Sequence, residues 1–521
     1  MRALGCDIGN GFAFVSVLNE DGDPISALPP EWNGRGMPTV VQKMRDGTLQ
    51  TGRGISRQFV NRGTFYRAIK RTLANYVRVE ESGVDPIKAY ECVAQTVLDS
   101  SFERLWKRGD NPPHEVLLTY PAAFLSAPRS ISLITETVAN LRAPDGKPYV
   151  VLDAIPEPAA IAFDFFLQNK KNEKESSCVA VYDLGHGTFD VALVSYENKE
   201  DTRNWIIHNY GCLGNIGGMD FEDKLVEIIK HKISEQDRTA YFNNADESML
   251  LEEAIQAKHE LSIEDEVDVF IMLSNGKTYE FVVSRDEFQE RIESLVATTI
   301  SEFTKVLDEA QKKGLALDYI VLSGGSSRIP LVEQKVGELV RQRYHEPIEI
   351  IAHRPIEAVS YGATRYASFL DGSKYMGFTY TTASNCSHLG RMRKLYEPLT
   401  ISGAYVCDES FTYVLDRSWG IVDEQTGDLI VKIRENSYLP ATSKTFWYRP
   451  NQSHVNLVVA FAKDSDTRAE RIVKGGYKEI AHLKCDGLHA GGEYAATLSV
   501  DRKRVARITL IDENGHVLRM E

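Results

Sequence analysis

The chain is poor in the features that would direct it to a membrane, a nucleic acid or an oxidising compartment. Its apolar stretches all fall short of the roughly 20 residues that cross a bilayer, and its start, MRALGCDIGN, carries no apolar signal core. No membrane partner or leader is expected, and the cytoplasm is the expected location. Positive charge is in deficit, with 60 Lys and Arg against 74 Asp and Glu and a formal net charge of −14. Neutralising phosphate groups takes clustered Lys and Arg, so nucleic acid is not an expected partner either. The seven cysteines (Cys6, Cys92, Cys178, Cys212, Cys386, Cys407 and Cys485) are scattered, and no two are spaced Cys-x-x-Cys. That pattern fits reduced, buried thiols better than a disulfide frame or a zinc site. The rest is ordinary globular composition. With 521 residues, 43% hydrophobic and 26% charged, the chain has material for two or three domain cores.

One motif occurs twice. Residues 181–190 read VYDLGHGTFD, and the opening segment GCDIGNGFAFVSV has the same plan, Asp-x-Gly-x-Gly between two apolar strands. Gly9-Asn10-Gly11 joins Leu4–Ile8 to Phe12–Leu18, and Gly185-His186-Gly187 joins Cys178–Leu184 to Thr188–Tyr196. Each reads as a tight β-hairpin. A turn of this kind calls for positive φ, which glycine adopts freely and which Asn and His tolerate better than most residues. Successive glycine N–H groups make an anion-binding concavity, and an aspartate at the preceding strand end can hold a hydrated magnesium ion beside phosphates. Two facing hairpins therefore make a clasp for a polyphosphate. Tyr319–Leu322, followed by Gly324-Gly325, Ser326, Ser327 and a helix begun at Pro330, is a third strand–turn–helix unit, whose turn lets a flat ring approach the backbone. On LEEAIQAKHELS, Lys258 and Ser262 are four residues apart and share a helix face.

In this order the segments resemble the nucleotide-binding domain of the 70-kDa heat-shock chaperones, in the actin, sugar-kinase and heat-shock ATPase superfamily. VLLTYPAAFLSAPRS, LDAIPEPAAIAFDF, NIGGMDFEDKLVEII and RPIEAVSYGATRYAS extend the resemblance over roughly residues 1–370. It implies an α/β, two-lobed, actin-like ATPase domain that holds ATP or ADP with magnesium, and a stress-response chaperone function. Asp7 and Asp183 would order the magnesium waters, Glu157 would position a water, and Thr188 and Asp190 would support the second hairpin. Gly9, Asn10, Gly11, Gly185, His186, Gly187, Gly217 and Gly218 would approach the phosphates. Lys258, Ser262, Gly324, Gly325, Ser326 and Arg328 would enclose the adenosine. Pro121 and Arg129 match positions that couple nucleotide state to a second domain.

The chain also departs from that pattern. Asn10-Gly11 stands in place of a Thr-Thr pair, and His186 in place of a middle glycine. The catalytic lysine is expected in TGRGISRQF, where Ser56 and Arg57 stand instead. If no neighbour substitutes, losing one preorganised donor to developing charge costs on the order of 10²–10³ in rate. Ile255 and Ile356 occupy positions usually acidic near the adenosine. Two readings of His186 stay open: a turn residue whose ring points away, or a ring near the terminal phosphate that partly replaces the lysine.

After Leu370 the pattern changes to short strands. DLIVKI, KTFWYR, HVNLVVAFA, EYAATLSV and VARITLI, separated by turn signals such as Pro450-Asn451 and Asn514-Gly515, read as an all-β sandwich over residues 371–521. VKIRENSYLPATSKTFWYRPNQSHVNLVVAF resembles the heat-shock family's peptide-binding β-domain. No helical lid is expected, and SFLDGSKYMGFTYTTASN lacks the acidic, leucine-rich linker of the chaperones. Phe446, Trp447 and Tyr448 are a client surface or a half-buried core strip.

The expected function is an ATP-binding, chaperone-like protein that hydrolyses Mg-ATP slowly. An unfolded or specific client polypeptide and a co-chaperone or exchange factor are its expected partners. A non-hydrolysing, nucleotide-sensing scaffold is the alternative. A small-molecule kinase fits less well, because no acceptor-substrate domain is evident.

Overall fold

A computed structural model describes residues 3–52, 63–75, 84–168, 175–199, 202–354, 356–370, 408–415, 417–423, 426–434, 437–439, 441–450, 454–463, 469–486, 488–500, 505–512 and 517–520. Two sheets organise the first part of the chain. In the first, β1 (Leu4–Ile8) and β2 (Phe12–Leu18) form an antiparallel hairpin with Asp7 opposite Phe14. β3 (Pro24–Ser26) lies beyond β2, and β4 (Glu115–Tyr120) and β5 (Val150–Pro156) extend the other side in parallel. The order is β3-β2-β1-β4-β5.

The second sheet repeats that plan. β6 (Ser176–Leu184) and β7 (Phe189–Lys199) form an antiparallel hairpin with Asp183 opposite Asp190. β8 (Thr202–Leu213) pairs antiparallel with β7, and β9 (Tyr319–Ser323) and β10 (Glu349–Ala352) continue in parallel from β6. Strands buried on both faces read as unbroken apolar runs, as in Val179–Tyr182, where every residue is buried. Beyond β8 the second sheet gains two strands. β11 (Asp408–Val414) pairs with it in parallel, and β12 (Tyr438–Leu439) pairs with β11.

Helices cover these sheets: α1 (Ile69–Asn75), α2 (Pro86–Lys107), α3 (Pro128–Asn140), α4 (Glu157–Gln168), α5 (Gly218–Gln236), α6 (Asn244–Leu261), α7 (Arg285–Lys312), α8 (Pro330–Arg343) and α9 (Ala358–Leu370). Several starts are legible in their residues. Asp85 caps α2 by accepting the Ile87 amide at 2.9 Å, with Pro86 in the first turn, and Asn243 caps α6. Among the described residues no helix is long and apolar enough to cross a membrane.

The C-terminal region is β-rich. Arg471–Ile472, Leu429–Ile433, Trp419–Val422, His454–Ala462 and Tyr477–Asp486 make one antiparallel sheet, and Ala441–Thr442, Tyr494–Val500, Ala506–Ile511 and Val517–Met520 make another. The five strands expected from the sequence all form. Trp419–Val422 and Tyr477–Asp486 are additional. Phe446–Tyr448 pairs with Tyr494–Val500, and its residues divide: Trp447 is 76% exposed, whereas Phe446 and Tyr448 pack against the core. One apolar cluster contains Trp419, Val459 and Leu498 of this region together with Trp205, Phe163 and Phe369 from around the second sheet. The segment in which the chaperone linker was sought lies, after Leu370, outside the described residues, as do Asn451 and Asn514-Gly515. Among the described residues Cys6, Cys92, Cys178 and Cys212 form no disulfide, and burial pushes Cys178 up to about 12.

Candidate functional site

The equivalent hairpins bring two aspartates to equivalent strand ends, and both are buried. Around Asp7 the Thr119 hydroxyl donates to Oδ1 at 3.0 Å and the Lys70 ammonium donates to the same oxygen at 3.3 Å. Lys70 Nζ also donates to Glu157 Oε1 at 2.5 Å. Glu157 opens α4, directly after the end of β5. On the neighbouring hairpin Asp190 accepts the Ala122 amide at 2.8 Å through Oδ1, and its Oδ2 is buried without a hydrogen-bond partner. That bond joins Asp190 to the turn capped by Pro121. Arg129, in the first turn of α3, is exposed.

Asp7, Glu157, Asp183 and Asp190 thus share one buried cation. Burial pushes the Glu157 carboxyl up to about 8 despite Lys70, and Asp190 up to about 6, against the bonds from Thr188 and Ala122. Asp183 rises well above the carboxylate range, first through burial and then through Glu157, Asp190 and Asp7. Burial opposes the charge on Lys70, but Glu157 and Asp7 more than restore it.

Lys70 corrects the sequence reading. Ser56 and Arg57 lie outside the described residues, but a lysine of α1, fourteen positions after Ser56, does enter the carboxylate cluster. The available signal was the run Arg67-Ala-Ile-Lys70-Arg71, three cations within five residues of an acidic chain.

A second correction concerns the turns. None of Gly9, Asn10, Gly11, Gly185, His186 and Gly187 has positive φ. Glycine is used there because atoms come close. A Cβ on Gly9 would stand 2.7 Å from the Phe12 carbonyl oxygen, one on Gly11 2.5 Å from the His186 ring, and one on Gly187 2.3 Å from Asn10. Gly324 does have positive φ, +80°, and a Cβ there would stand 2.2 Å from the Leu184 carbonyl oxygen and 2.7 Å from Asp183 Oδ1.

Gly217 and Gly218 commit their amides to protein acceptors. Gly217 N donates to Asp220 Oδ2 at 2.7 Å and Gly218 N to the Gly185 carbonyl at 2.9 Å, so they offer a ligand close approach rather than donors. A Cβ on Gly218 would meet Ser326 Oγ at 2.5 Å and Lys258 Nζ at 3.1 Å, which puts those two beside the second hairpin. The Ser262 hydroxyl donates to the Lys258 carbonyl at 2.9 Å, and Gly325 and Arg328 are exposed. Ile255 and Ile356 are half-buried.

Sequence reasoning also missed the charged residues that tie α1 to α5. Arg67 reaches Glu222 at 3.2 Å, and buried Glu222 accepts from Lys258 at 2.5 Å and has His186 Nδ1 3.5 Å away. Arg71 donates to both carboxylate oxygens of Asp220 and to the Gly187 carbonyl. The His186 ring sits edge-on to Phe12 at 6.2 Å. Burial pushes it down to about 4, against the pull of Glu222.

With this geometry in hand, the relatives are informative. Residues 149–381 match the Hsp70 protein family. Over that segment, a little under half of the chain, the protein is similar to the Hsp70 family. It is 27% identical over 362 residues to the chaperone protein DnaK of Mycoplasmopsis pulmonis (strain UAB CTIP), covering 67% of this chain and 56% of that protein. Against the DnaK of Mycoplasmopsis agalactiae (strain NCTC 10123 / CIP 59.7 / PG2) it is 26% identical over 359 residues, with 67% and 57% covered. The chain therefore spans a little over half the length of those relatives. The family match covers the second hairpin, Glu157 and Gly324-Gly325.

The residues fit a magnesium-bound nucleotide in part. Four buried carboxylates with one lysine, and an orphaned oxygen on Asp190, leave a local deficit of positive charge that a divalent ion would fill. Among the described residues no three His, Cys, Asp or Glu side chains converge as direct metal ligands, so Asp7 and Asp183 would hold it through water. The interval between the hairpin tips is held by Asn10 and His186.

Proposed function

We propose that this chain binds ATP and ADP with magnesium between its two hairpins and hydrolyses ATP slowly, as a chaperone-like cytoplasmic protein. The observation that carries the reading is the buried cluster of Asp7, Glu157, Asp183 and Asp190 around Lys70, at the ends of two hairpins in the same register. Asp7 and Asp183 would hold the hydrated ion, and Lys70 would present a fixed positive charge to the phosphates. Glu157 would orient a water, and Thr188 and Asp190 would fix the second turn. A bound divalent ion would neutralise phosphate charge and order the waters around it. Gly324, Gly325, Ser326, Lys258, Ser262 and Arg328 would enclose the adenosine. Preorganised charge of this kind is the main source of rate in phosphoryl transfer.

We assign residues 1–370 to a two-lobed nucleotide domain and 371–521 to a β-sandwich that binds a client polypeptide, with a co-chaperone or exchange factor as a further partner. Pairing of β11 with β8 supports communication between the two. The exposed Trp447 supports the strip Phe446–Tyr448 as part of the client surface.

Single-turnover hydrolysis of Mg-ATP by the purified chain, beside Lys70→Ala, tests this reading. Turnover that disappears in the variant establishes the ATPase. Tight binding without turnover in the parent establishes the scaffold reading instead, which the side chains between the hairpin tips favour.

A further inference from the structure

The two hairpin tips exchange side chains. Asn10 and His186 occupy equivalent positions, each the middle residue of a Gly-x-Gly turn. The first glycine closes its own turn, Gly9 N to the Phe12 carbonyl at 2.9 Å and Gly185 N to the Thr188 carbonyl at 3.0 Å. A Cβ on Gly11 would fall 2.5 Å from the His186 ring, and a Cβ on Gly187 would fall 2.3 Å from the Cβ of Asn10. Each middle residue therefore lies on the third residue of the other hairpin, and together they fill the interval between the turns.

Both side chains are anchored. Asn10 is 7% exposed, and its Oδ1 accepts the Arg71 amide at 3.1 Å. The Arg71 guanidinium in turn holds Asp220 and the Gly187 carbonyl, which ties the first tip to the second. His186 is held by Phe12 on one side and by Glu222 on the other. A neutral ring in this position gives a phosphate bulk and no charge.

We propose that Asn10 and His186 form a latch across the two hairpins that determines how readily the cleft accepts a polyphosphate. The proposal rests on the nucleotide-binding reading above. A polyphosphate can reach the turn amides only when both side chains swing off Gly11 and Gly187. The adenosine contacts proposed for Ser262, Ser326 and Arg328 involve neither side chain. The latch therefore penalises the phosphate chain and spares the nucleoside, which makes Asn10 and His186 specificity-determining residues.

Calorimetric titration of the full chain, His186→Gly, Asn10→Ala and the double variant, with Mg-ATP and separately with adenosine, tests the latch. A latch closed nine-tenths of the time weakens apparent affinity about tenfold, so the double variant should bind Mg-ATP about tenfold more tightly and each single variant by part of that factor, with adenosine affinity unchanged. Asn10→Ala keeps the test sound if His186→Gly folds poorly. Unchanged Mg-ATP affinity in both single variants overturns the latch, and weaker binding by His186→Gly alone makes the imidazole a phosphate ligand instead. Adenosine binding without any gain for Mg-ATP sinks the latch and leaves the nucleotide reading standing. Failure of every chain to bind either compound sinks both.

Discussion

Asp7 and Asp183 end equivalent strands of equivalent hairpins, and what separates them is the company each keeps. Asp7 accepts from Lys70 and Thr119. Asp183 is packed against Gly324 and faces Glu157, Asp190 and Asp7, so burial and like charge act on it together. One topology, used twice, thus yields one carboxylate bonded to Lys70 and one that Lys70 reaches only through space. The lesson is that a duplicated motif fixes where a group stands. Its ionisation is set by whichever element crosses from elsewhere, here α1 with Lys70.

Removing that element should have the largest effect. Lys70→Ala strands several buried carboxylates and should cost about 3 kcal/mol or more in urea unfolding. It should also lower single-turnover hydrolysis about 10²–10³-fold, the loss expected for one preorganised donor. An unchanged unfolding midpoint would mean that the carboxylates simply take up protons.

Next come the two aspartates. Asp7→Asn takes an acceptor from Lys70 and should destabilise the ligand-free chain by about 1–3 kcal/mol. Asp183→Asn removes only a disfavoured charge and should be neutral or stabilising. Both should lose magnesium-dependent nucleotide binding. Equal destabilisation by the two variants would break the comparison.

The same contrast gives a pH dependence. Glu157 near 8, Asp190 near 6 and a raised Asp183 all bind protons more tightly in the folded chain than in the unfolded one. That contribution to stability is complete below the ordinary carboxylate range and is lost as pH rises toward about 8. The melting temperature of the ligand-free chain should fall by several degrees over that window, and less steeply in Asp183→Asn. A flat profile would show that Lys70 alone compensates the cluster.

The smallest effects separate the glycines. Gly11→Ala and Gly187→Ala each push a methyl group into the side chain of the opposite hairpin and should cost about 1–3 kcal/mol. Gly185→Ala meets only the Thr188 carbonyl oxygen at 3.4 Å and should cost less than about 1 kcal/mol. Denaturant midpoints rank the three, and a Gly185 variant as damaged as the others would refute the close-approach account.

Much of this was legible in the residues. The hairpins could be read because apolar runs broken by Gly-x-Gly have few alternatives, and the C-terminal strands because period-2 patterning is local. The aspartates could be read for the same reason, since each sits at a strand end. The reason for glycine was not legible: positive φ and close approach leave the same residue in a sequence, and only the second applies at these tips. Lys70 was missed because it reaches Asp7 and Glu157 across 63 and 87 residues of chain.

The sequence by itself determined the two Asp-x-Gly-x-Gly hairpins, the all-β character of the C-terminal region and the acidic balance of the surface, because each follows from neighbours in the chain. Tertiary structure alone decided which lysine meets the carboxylates, which carboxylates burial pushes upward, and that Asn10 and His186 cover each other's hairpins. Those outcomes depend on burial and on distances of a few ångströms between residues far apart in the chain, and no local pattern encodes them.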